Sequence, residues 1–250
     1  MKLKIRLVFL FLILLTLASR LCQAQNFQWV HLSLGDECVD NSGAFGGILD
    51  YITTNTSITV NKERKAVKIS DDDLFDYPFI TLSCKSAPRS LSFAEILKLR
   101  KYLMHGGTLF INNRFARKGE GFDNWVKKTT ELLFSENSLM PFSRKHAALR
   151  SFFLIKKAGG RFIFASAPSA LDYAGRSVII YSKNDLLGIW PKGPLGRYQY
   201  RCIPGGEEQR KNGKKLLLNI ILYGLTGTYK LDAVHQPHIL RKLRMMEKGQ

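Results

Sequence analysis

Residues 71–114 have the sequence DDDLFDYPFITLSCKSAPRSLSFAEILKLRKYLMHGGTLFINNR. Within it, Ser92 is followed three residues later by Glu95, and this pair is typical of a capped helix start. The elements expected from this stretch are a strand at 77–83, a helix at 93–104 and a strand at 108–112. A strand, a helix and a second strand make up the βαβ unit of parallel sheets. This stretch therefore predicts an α/β fold.

The same alternation continues on both sides. Aromatic and β-branched runs predict further strands at 27–34, 67–69 and 177–182. Apolar residues at helical spacing predict helices at 43–54, 122–134 and 207–225, the second with Trp125, Leu132 and Leu133 facing inward. Residues 141–168 are expected to be mostly loop with short strands, and 188–206 a surface loop. We expect a single α/β domain over residues 25–235, with three layers around a mostly parallel sheet.

The N-terminus carries the pattern of a secretory signal peptide over residues 1–24. Basic residues precede an apolar run at 7–18, and small residues follow at Cys22-Gln23-Ala24, which predicts cleavage after Ala24 and export to the periplasm or the cell exterior. The apolar run is shorter than the ~20 residues of a membrane-spanning helix. A retained anchor and lipidation at Cys22 remain as alternatives.

The chain is strongly basic, with a formal charge of +18. Such a field favours anionic partners, and we expect an anionic envelope polymer or an envelope protein. Nucleic acid is not expected, because no nucleic-acid-binding motif organises the basic residues. A basic segment at 236–250, with Arg241, Lys242 and Arg244, could bind a membrane surface. A solvated basic face without a partner is the simpler interpretation.

Polar residues follow three of the predicted strands, and the carboxyl ends of parallel strands are where α/β sheets bind ligands. The candidate ligand-binding residues are Ser83, Cys84, Lys85, Asn112, Asn113, Arg114, Asn184 and Asp185. Amides and hydroxyls beside two cations suit recognition of a sugar or an anionic group. They lack the paired titratable groups of acid–base catalysis. The alternative is that these side chains only cap strand ends.

Three cysteines remain after the expected cleavage, namely Cys38, Cys84 and Cys202. An exported chain can form one disulfide among them, and the sequence does not choose between the three pairings. Cys84 beside Lys85 is the only candidate nucleophile, but no base is supplied locally. The sequence predicts no catalytic set, and it contains neither a cofactor motif nor a cysteine and histidine cluster at metal-ligand spacing.

Four blocks of the chain resemble the family catalogued as domain of unknown function 4159. They are DDDLFDYPFITL, LSFAEILKLRKYLMHGGTLFINN, GRSVIIYSKNDLLGIW and LLLNIILYGLTGTYKLDAVHQPHIL, in that order between residues 71 and 240. The resemblance extends over roughly residues 27–240. It implies a flavodoxin-like sandwich of the class I glutamine-amidotransferase-like superfamily.

The departures from that family bear on function. The resemblance implies Gly-His-Gly where this chain has Cys84-Lys85-Ser86, and an aspartate pair where it has Asn112-Asn113. In the amidotransferase relatives this second position would hold the nucleophilic cysteine, and no GxCxG or GxSxG elbow occurs. The resemblance thus implies a degenerate member. We expect an exported, non-catalytic binding or scaffold protein, with an envelope hydrolase acting on carbohydrates or amides as the alternative.

Overall fold

The computed structural model describes residues 26–38, 42–114 and 121–226. The expected leader and the basic segment at 236–250 lie outside the described residues. The strands are β1 (Phe27–Leu32), β2 (Val60–Val67), β3 (Phe79–Cys84), β4 (Thr108–Asn113), β5 (Met140–Pro141), β6 (Ser169–Tyr173) and β7 (Arg176–Ser182). The helices are α1 (Ser42–Asn55), α2 (Phe93–Met104), α3 (Phe122–Leu133) and α4 (Gly206–Thr226), with 3-10 turns at Asp72–Asp76 and Ala147–Leu149.

The strands form one sheet in the order β2-β1-β3-β4-β7-β6-β5. The first five of these are parallel to one another, and β6 pairs antiparallel with both β7 and β5. Numbered along the chain without the β5–β6 insertion, the parallel strands have the order 2-1-3-4-5 of flavodoxin-like sheets. The fold is therefore α/β with a mostly parallel sheet, as the sequence predicted, and the sheet has seven strands.

Helices cover both faces of the sheet, because the side chains of each strand alternate between two apolar clusters. On one face, Ile111 packs with residues of α2 and α3. On the other face, Phe110 packs with residues of α1 and α4. This three-layer arrangement leaves the carboxyl edge of the parallel strands to the loops. Within the described residues, no helix is long and apolar enough to cross a membrane.

The capping box at the start of α2 is confirmed. The Ser92 hydroxyl accepts the Glu95 backbone N–H, and the Glu95 carboxylate accepts the Ser92 N–H at 2.8 Å. The Arg89 guanidinium donates two further hydrogen bonds to this carboxylate. The charge-assisted bonds from Arg89 lower the pKa of Glu95 to about 2.

Other local expectations were wrong. Leu132 is 59% exposed on α3 and does not face inward. The strand expected at 67–69 ends at Val67 and begins earlier, at Val60. The loop at 188–206 is not wholly on the surface, because Trp190 and Cys202 are buried in it.

Candidate functional site

Three neighbouring strands bring the predicted residues to one edge of the sheet. Ser83 on β3 lies opposite Asn112 on β4, and Asn112 lies opposite Ser182 at the end of β7. Asn184 and Asp185 follow directly. The parallel register therefore places the eight candidate residues around the carboxyl ends of β3, β4 and β7.

Asn112 is the centre of a buried hydrogen-bond cluster. Its Nδ2 donates to the Asp185 carboxylate at 3.0 Å and to the Ser83 hydroxyl at 3.3 Å. Its Oδ1 accepts the backbone N–H of Leu187 at 3.3 Å. Asn112 and Asp185 have no exposed surface, and Ser83 is buried too. This inner cluster fixes the loop after β7 against β3 and β4.

The Asp185 carboxylate also faces a cation that the sequence did not suggest. Arg161 Nε lies 2.9 Å from Asp185 Oδ2, although the two atoms are out of hydrogen-bonding alignment. We therefore describe the contact as an ion pair. Burial raises the pKa of Asp185, opposed by the charge of Arg161 and by the hydrogen bond from Asn112.

The backbone around Asp185 accommodates its buried carboxylate. Its φ of +51° lies in the left-handed region, which aspartate and asparagine tolerate better than most residues. A Cβ at Gly188 would lie 2.1 Å from the Asp185 carboxylate, so only glycine allows the loop to close over it. The Gly188 N–H donates to Asp185 at 2.9 Å. The turn after β7 is thus built around a buried carboxylate.

Asn184, next to Asp185, bonds to a loop and not to the inner cluster. Its Oδ1 accepts the backbone N–H groups of Phe164 and Ala165, each at 2.9 Å, and its Nδ2 donates to the Ala165 carbonyl at 2.7 Å. The side chain is buried and holds the loop at 159–165 against the sheet edge. The hydrogen bonds of this side chain are therefore with backbone groups of that loop.

Cys84 forms a disulfide with Cys38, and Cys202 is a free, buried thiol. The bridge connects the end of β3 to the loop after β1. It engages the sulfur that the sequence offered as a nucleophile. Beside it, Lys85 Nζ lies 3.9 Å from the Glu37 carboxylate, at the exposed rim.

A second polar cluster lies outward from the first. The carboxylate of Asp123, in the first turn of α3, accepts Asn113 Nδ2 at 3.0 Å and the hydroxyl of Tyr181. Its other oxygen lies 3.0 Å from Lys183 Nζ. Burial and the adjacent Asp123 raise the pKa of Tyr181. Asp123 therefore joins the ends of β4 and β7 to α3.

This outer cluster borders an open groove of about 420 Å³ between α3 and the β5–β6 strands. Its lining includes both carboxylates and amines, in addition to amides and hydroxyls: Asp123, Asn124, Lys127, Thr130, Glu131, Asn137, Ser138, Leu139, Pro141, Ser169, Tyr181 and Lys183. A cavity of similar size, about 430 Å³, lies at the opposite edge where β1 and β3 begin. We favour the first as a ligand site, because parallel sheets bind ligands at their carboxyl edge.

A serine next to a histidine at that opposite edge does not form a catalytic pair. His146 Nδ1 accepts the Ala148 N–H, so the proton lies on Nε2, 2.8 Å from the Ser177 hydroxyl. Ser177 in turn donates to the Asp172 carboxylate at 2.5 Å. A general base must accept the proton of its nucleophile, and here the direction is reversed. Burial lowers the pKa of His146 and keeps the ring neutral.

The described residues hold no group of three histidine, cysteine or acidic side chains arranged for a metal ion. Asp71, directly before the 3-10 turn, accepts the Lys68 backbone N–H at 2.8 Å, which is a turn hydrogen bond. Arg161, Asp123 and Tyr181 take part in these clusters but were not predicted from the sequence. Asp123 carries a recognisable signal, an acid in the first turn of a helix, but its partners come from other elements.

Comparison with known proteins identifies the family of this chain. A family model described as a domain of unknown function, DUF4159, matches residues 28–225. No curated protein matches significantly. The matched range spans β1 to the end of α4, and thus the whole sheet and both polar clusters. The chain belongs to the DUF4159 family.

Proposed function

We propose that this protein is an exported, non-catalytic binding or scaffold protein of the cell envelope. One observation carries the proposal: the buried polar side chains at the carboxyl edge are bonded to other groups of the protein. Asn112 and Asp185 are buried and bonded to each other, and Asp185 forms an ion pair with Arg161. Cys84, at the end of β3, is bridged to Cys38. An active site needs a nucleophile or an acid–base pair that substrate can reach.

Export is supported by the leader-like sequence and by the disulfide. Disulfides persist in oxidising compartments and are rare in the cytosol. A bridge across 46 residues also stabilises the edge of the sheet without any chemical role. The same pairing explains why a cysteine occupies the end of β3.

We further propose a glutamine-amidotransferase-like ancestry in which the reactive groups have been replaced. The strand order supports a flavodoxin-like sheet. Asn112 and Asn113 stand at the strand end where such relatives carry a nucleophile, and both serve as hydrogen-bond donors. Amide side chains in these places preserve the shape of the edge without supplying reactive groups.

The groove beside α3 is the proposed ligand site. Tyr181 and Lys183, at the end of β7, line one side of the groove, and Lys127 and Glu131 line its α3 side. Amines, carboxylates and hydroxyls in one open groove suit a hydrated ligand such as a sugar with charged substituents. The inner cluster supports this groove from behind.

Thermal unfolding in the presence of defined compounds tests the proposal. The panel contains N-acetylglucosamine, N-acetylmuramic acid, glucose, inorganic phosphate and ATP. A ligand that binds the native state raises the melting temperature by mass action. We expect a selective shift that Asp123→Asn abolishes. The matched control is Asp72→Asn, which alters a fully exposed carboxylate in the 3-10 turn before β3.

A turnover assay separates binding from catalysis. The same compounds, and oligosaccharide and amide substrates, are incubated with the protein and analysed by mass spectrometry. We expect no product above that from heat-denatured protein. Turnover that disappears with Asp123→Asn or Asp185→Asn would contradict the non-catalytic assignment and favour the hydrolase alternative.

A further inference from the structure

The polar clusters and the groove leave one distinctive surface unexplained, which we name the basic loop pair. It consists of residues 150–165 and 191–203, two segments without an aspartate or a glutamate. Their cations are Arg150, Lys156, Lys157, Arg161, Lys192, Arg197 and Arg201. Arg161 is paired with Asp185, so the other six are the ones available to a partner. The whole chain has 20 acidic residues, and none of them lies in these two segments. The loop pair is therefore a local concentration of positive charge.

The same two segments expose large apolar side chains. Of the thirteen that are exposed among the described residues, seven lie here: Phe152, Leu154, Ile163, Phe164, Leu195, Tyr200 and Ile203. Leu195 is 86% exposed. It occupies the tip of a tight turn, which the Gly193 N–H closes by donating to the Arg197 carbonyl at 2.8 Å. Exposed apolar groups concentrated in one region mark an interaction surface.

The two segments are neighbours in space, not only in composition. Phe162 and Ile203 form a parallel β-bridge, and the Ile203 N–H donates to the Arg161 carbonyl at 2.9 Å. The Arg161 guanidinium lies 5.0 Å from the centre of the Tyr200 ring. The two segments are therefore in direct contact at Arg161–Phe162 and Tyr200–Ile203.

The loop pair is also fixed to the body of the protein. The side chain of Asn219 on α4 bonds to both the N–H and the carbonyl of Phe153. Arg210 on α4 donates to the Tyr200 carbonyl at 2.6 Å. A rigid support means that little conformational entropy is lost when the exposed side chains bind a partner.

We propose that the basic loop pair docks the protein on an anionic phospholipid surface. Cations next to exposed leucine, isoleucine and phenylalanine are the composition of segments that lie at a lipid interface. The aliphatic members favour lipid over an anionic polymer, because leucine and isoleucine cannot stack on sugars or bases but gain from contact with acyl chains. The cations add attraction to acidic headgroups.

Vesicle sedimentation tests this proposal with the exported protein, its N-terminus verified by mass. The vesicles contain phosphatidylcholine alone or an equal mixture of phosphatidylcholine and phosphatidylglycerol. We expect binding to the anionic vesicles only, weakened by 0.5 M salt through screening. Leu195→Ser should lower the partition coefficient about tenfold, and Lys156→Gln with Lys157→Gln about fivefold per charge.

Matched variants make the result decisive. Leu132→Ser removes a 59% exposed leucine from α3, outside the loop pair, and should bind like the unaltered protein. The combined changes Arg241→Gln, Lys242→Gln and Arg244→Gln test the C-terminal segment as the anchor. Binding that responds to these three changes and not to Leu195→Ser would overturn the proposal.

Equal loss with Leu132→Ser, or no binding to anionic vesicles at all, would overturn the proposal too. Binding to the polyanion heparin that the lysine changes weaken, while no variant affects vesicles, would indicate a polymer partner instead. The vesicle assay shares no step with the ligand panel. A failed lipid proposal therefore leaves the groove proposal to its own test.

Discussion

Reduction of the Cys38–Cys84 disulfide should destabilise the protein substantially. The bridge closes a loop of 46 residues between the segment after β1 and the end of β3. Restricting a loop of that length in the unfolded chain stabilises the native state by about 4 kcal/mol at room temperature. Single domains have a total stability of about 5–15 kcal/mol, so this contribution decides how easily the protein unfolds.

Urea unfolding, followed by tryptophan fluorescence with and without a phosphine reductant, measures the effect. With a slope of about 1–3 kcal/mol per molar urea, the reduced protein should unfold more than about 1 M earlier. The slope itself should increase, because an unbridged unfolded chain exposes more surface. The variant with both Cys38→Ala and Cys84→Ala should match the reduced protein and show no response to reductant.

Cys202→Ala is the matched control, since Cys202 is equally buried but free. It should keep the full response to reductant. The bridge does not stabilise the protein as proposed if the reduced and oxidised proteins unfold at the same urea concentration. The same conclusion follows if Cys202→Ala abolishes the difference between them.

Four further variants test other parts of the structure, each by urea unfolding. Gly46→Ala places a methyl group in open space on α1 and should raise stability by up to about 1 kcal/mol. Gly224→Ala on α4 would place its methyl group 2.5 Å from the Phe79 ring of β3 and should lower stability by about 1–3 kcal/mol. If both variants shift alike, helix propensity and not packing decides the outcome. The unfolded chain protonates its histidines below about pH 6.5, whereas His146 resists protonation in the fold, so stability should fall as the pH drops below that value. His146→Gln should flatten this part of the pH profile, and an unchanged profile would assign the effect to other groups. Asp185→Asn tolerates the positive φ but leaves Arg161 without its counter-charge, and we expect a loss of about 3 kcal/mol; a loss below about 1 kcal/mol would show that solvent compensates the cation.

Features set by neighbouring residues could be predicted from the sequence. The capping box at Ser92 needs only two side chains three positions apart, and it forms as expected. The convergence of Ser83, Asn112 and Asp185 was also predictable, because parallel strands end at one edge and adjacent strand ends come together. Both results depend on local pattern and on sheet geometry alone.

Strand β6 was hidden by its composition. Ser169–Tyr173 is short and contains alanine and aspartate, which are poor strand formers. The hairpin turn to β7 uses Ala174 and Gly175, both with positive φ, where asparagine and glycine would have given a clear signal. Pairing with the buried strand β7 outweighs the weak propensity of β6.

The partners of the site residues could not be predicted, because they come from distant loops. Arg161 lies 24 positions before Asp185 in a loop without regular structure, and only the tertiary fold brings them together. The disulfide is a similar case, since three cysteines allow three pairings and spacing does not distinguish them. Asn184 appeared to be a ligand contact, yet its bonds to the 159–165 loop depend on the same long-range packing.

A mass spectrometric map of the protein, taken from cells with its thiols blocked at lysis, tests export and the disulfide most directly. We expect an N-terminus at Gln25, a cross-linked peptide pair containing Cys38 and Cys84, and one blocked cysteine, Cys202. This result would support export and show that the strand-end cysteine is structural. A chain that begins at Met1 and carries a blocked thiol at Cys84 would contradict both export and the structural role of that cysteine.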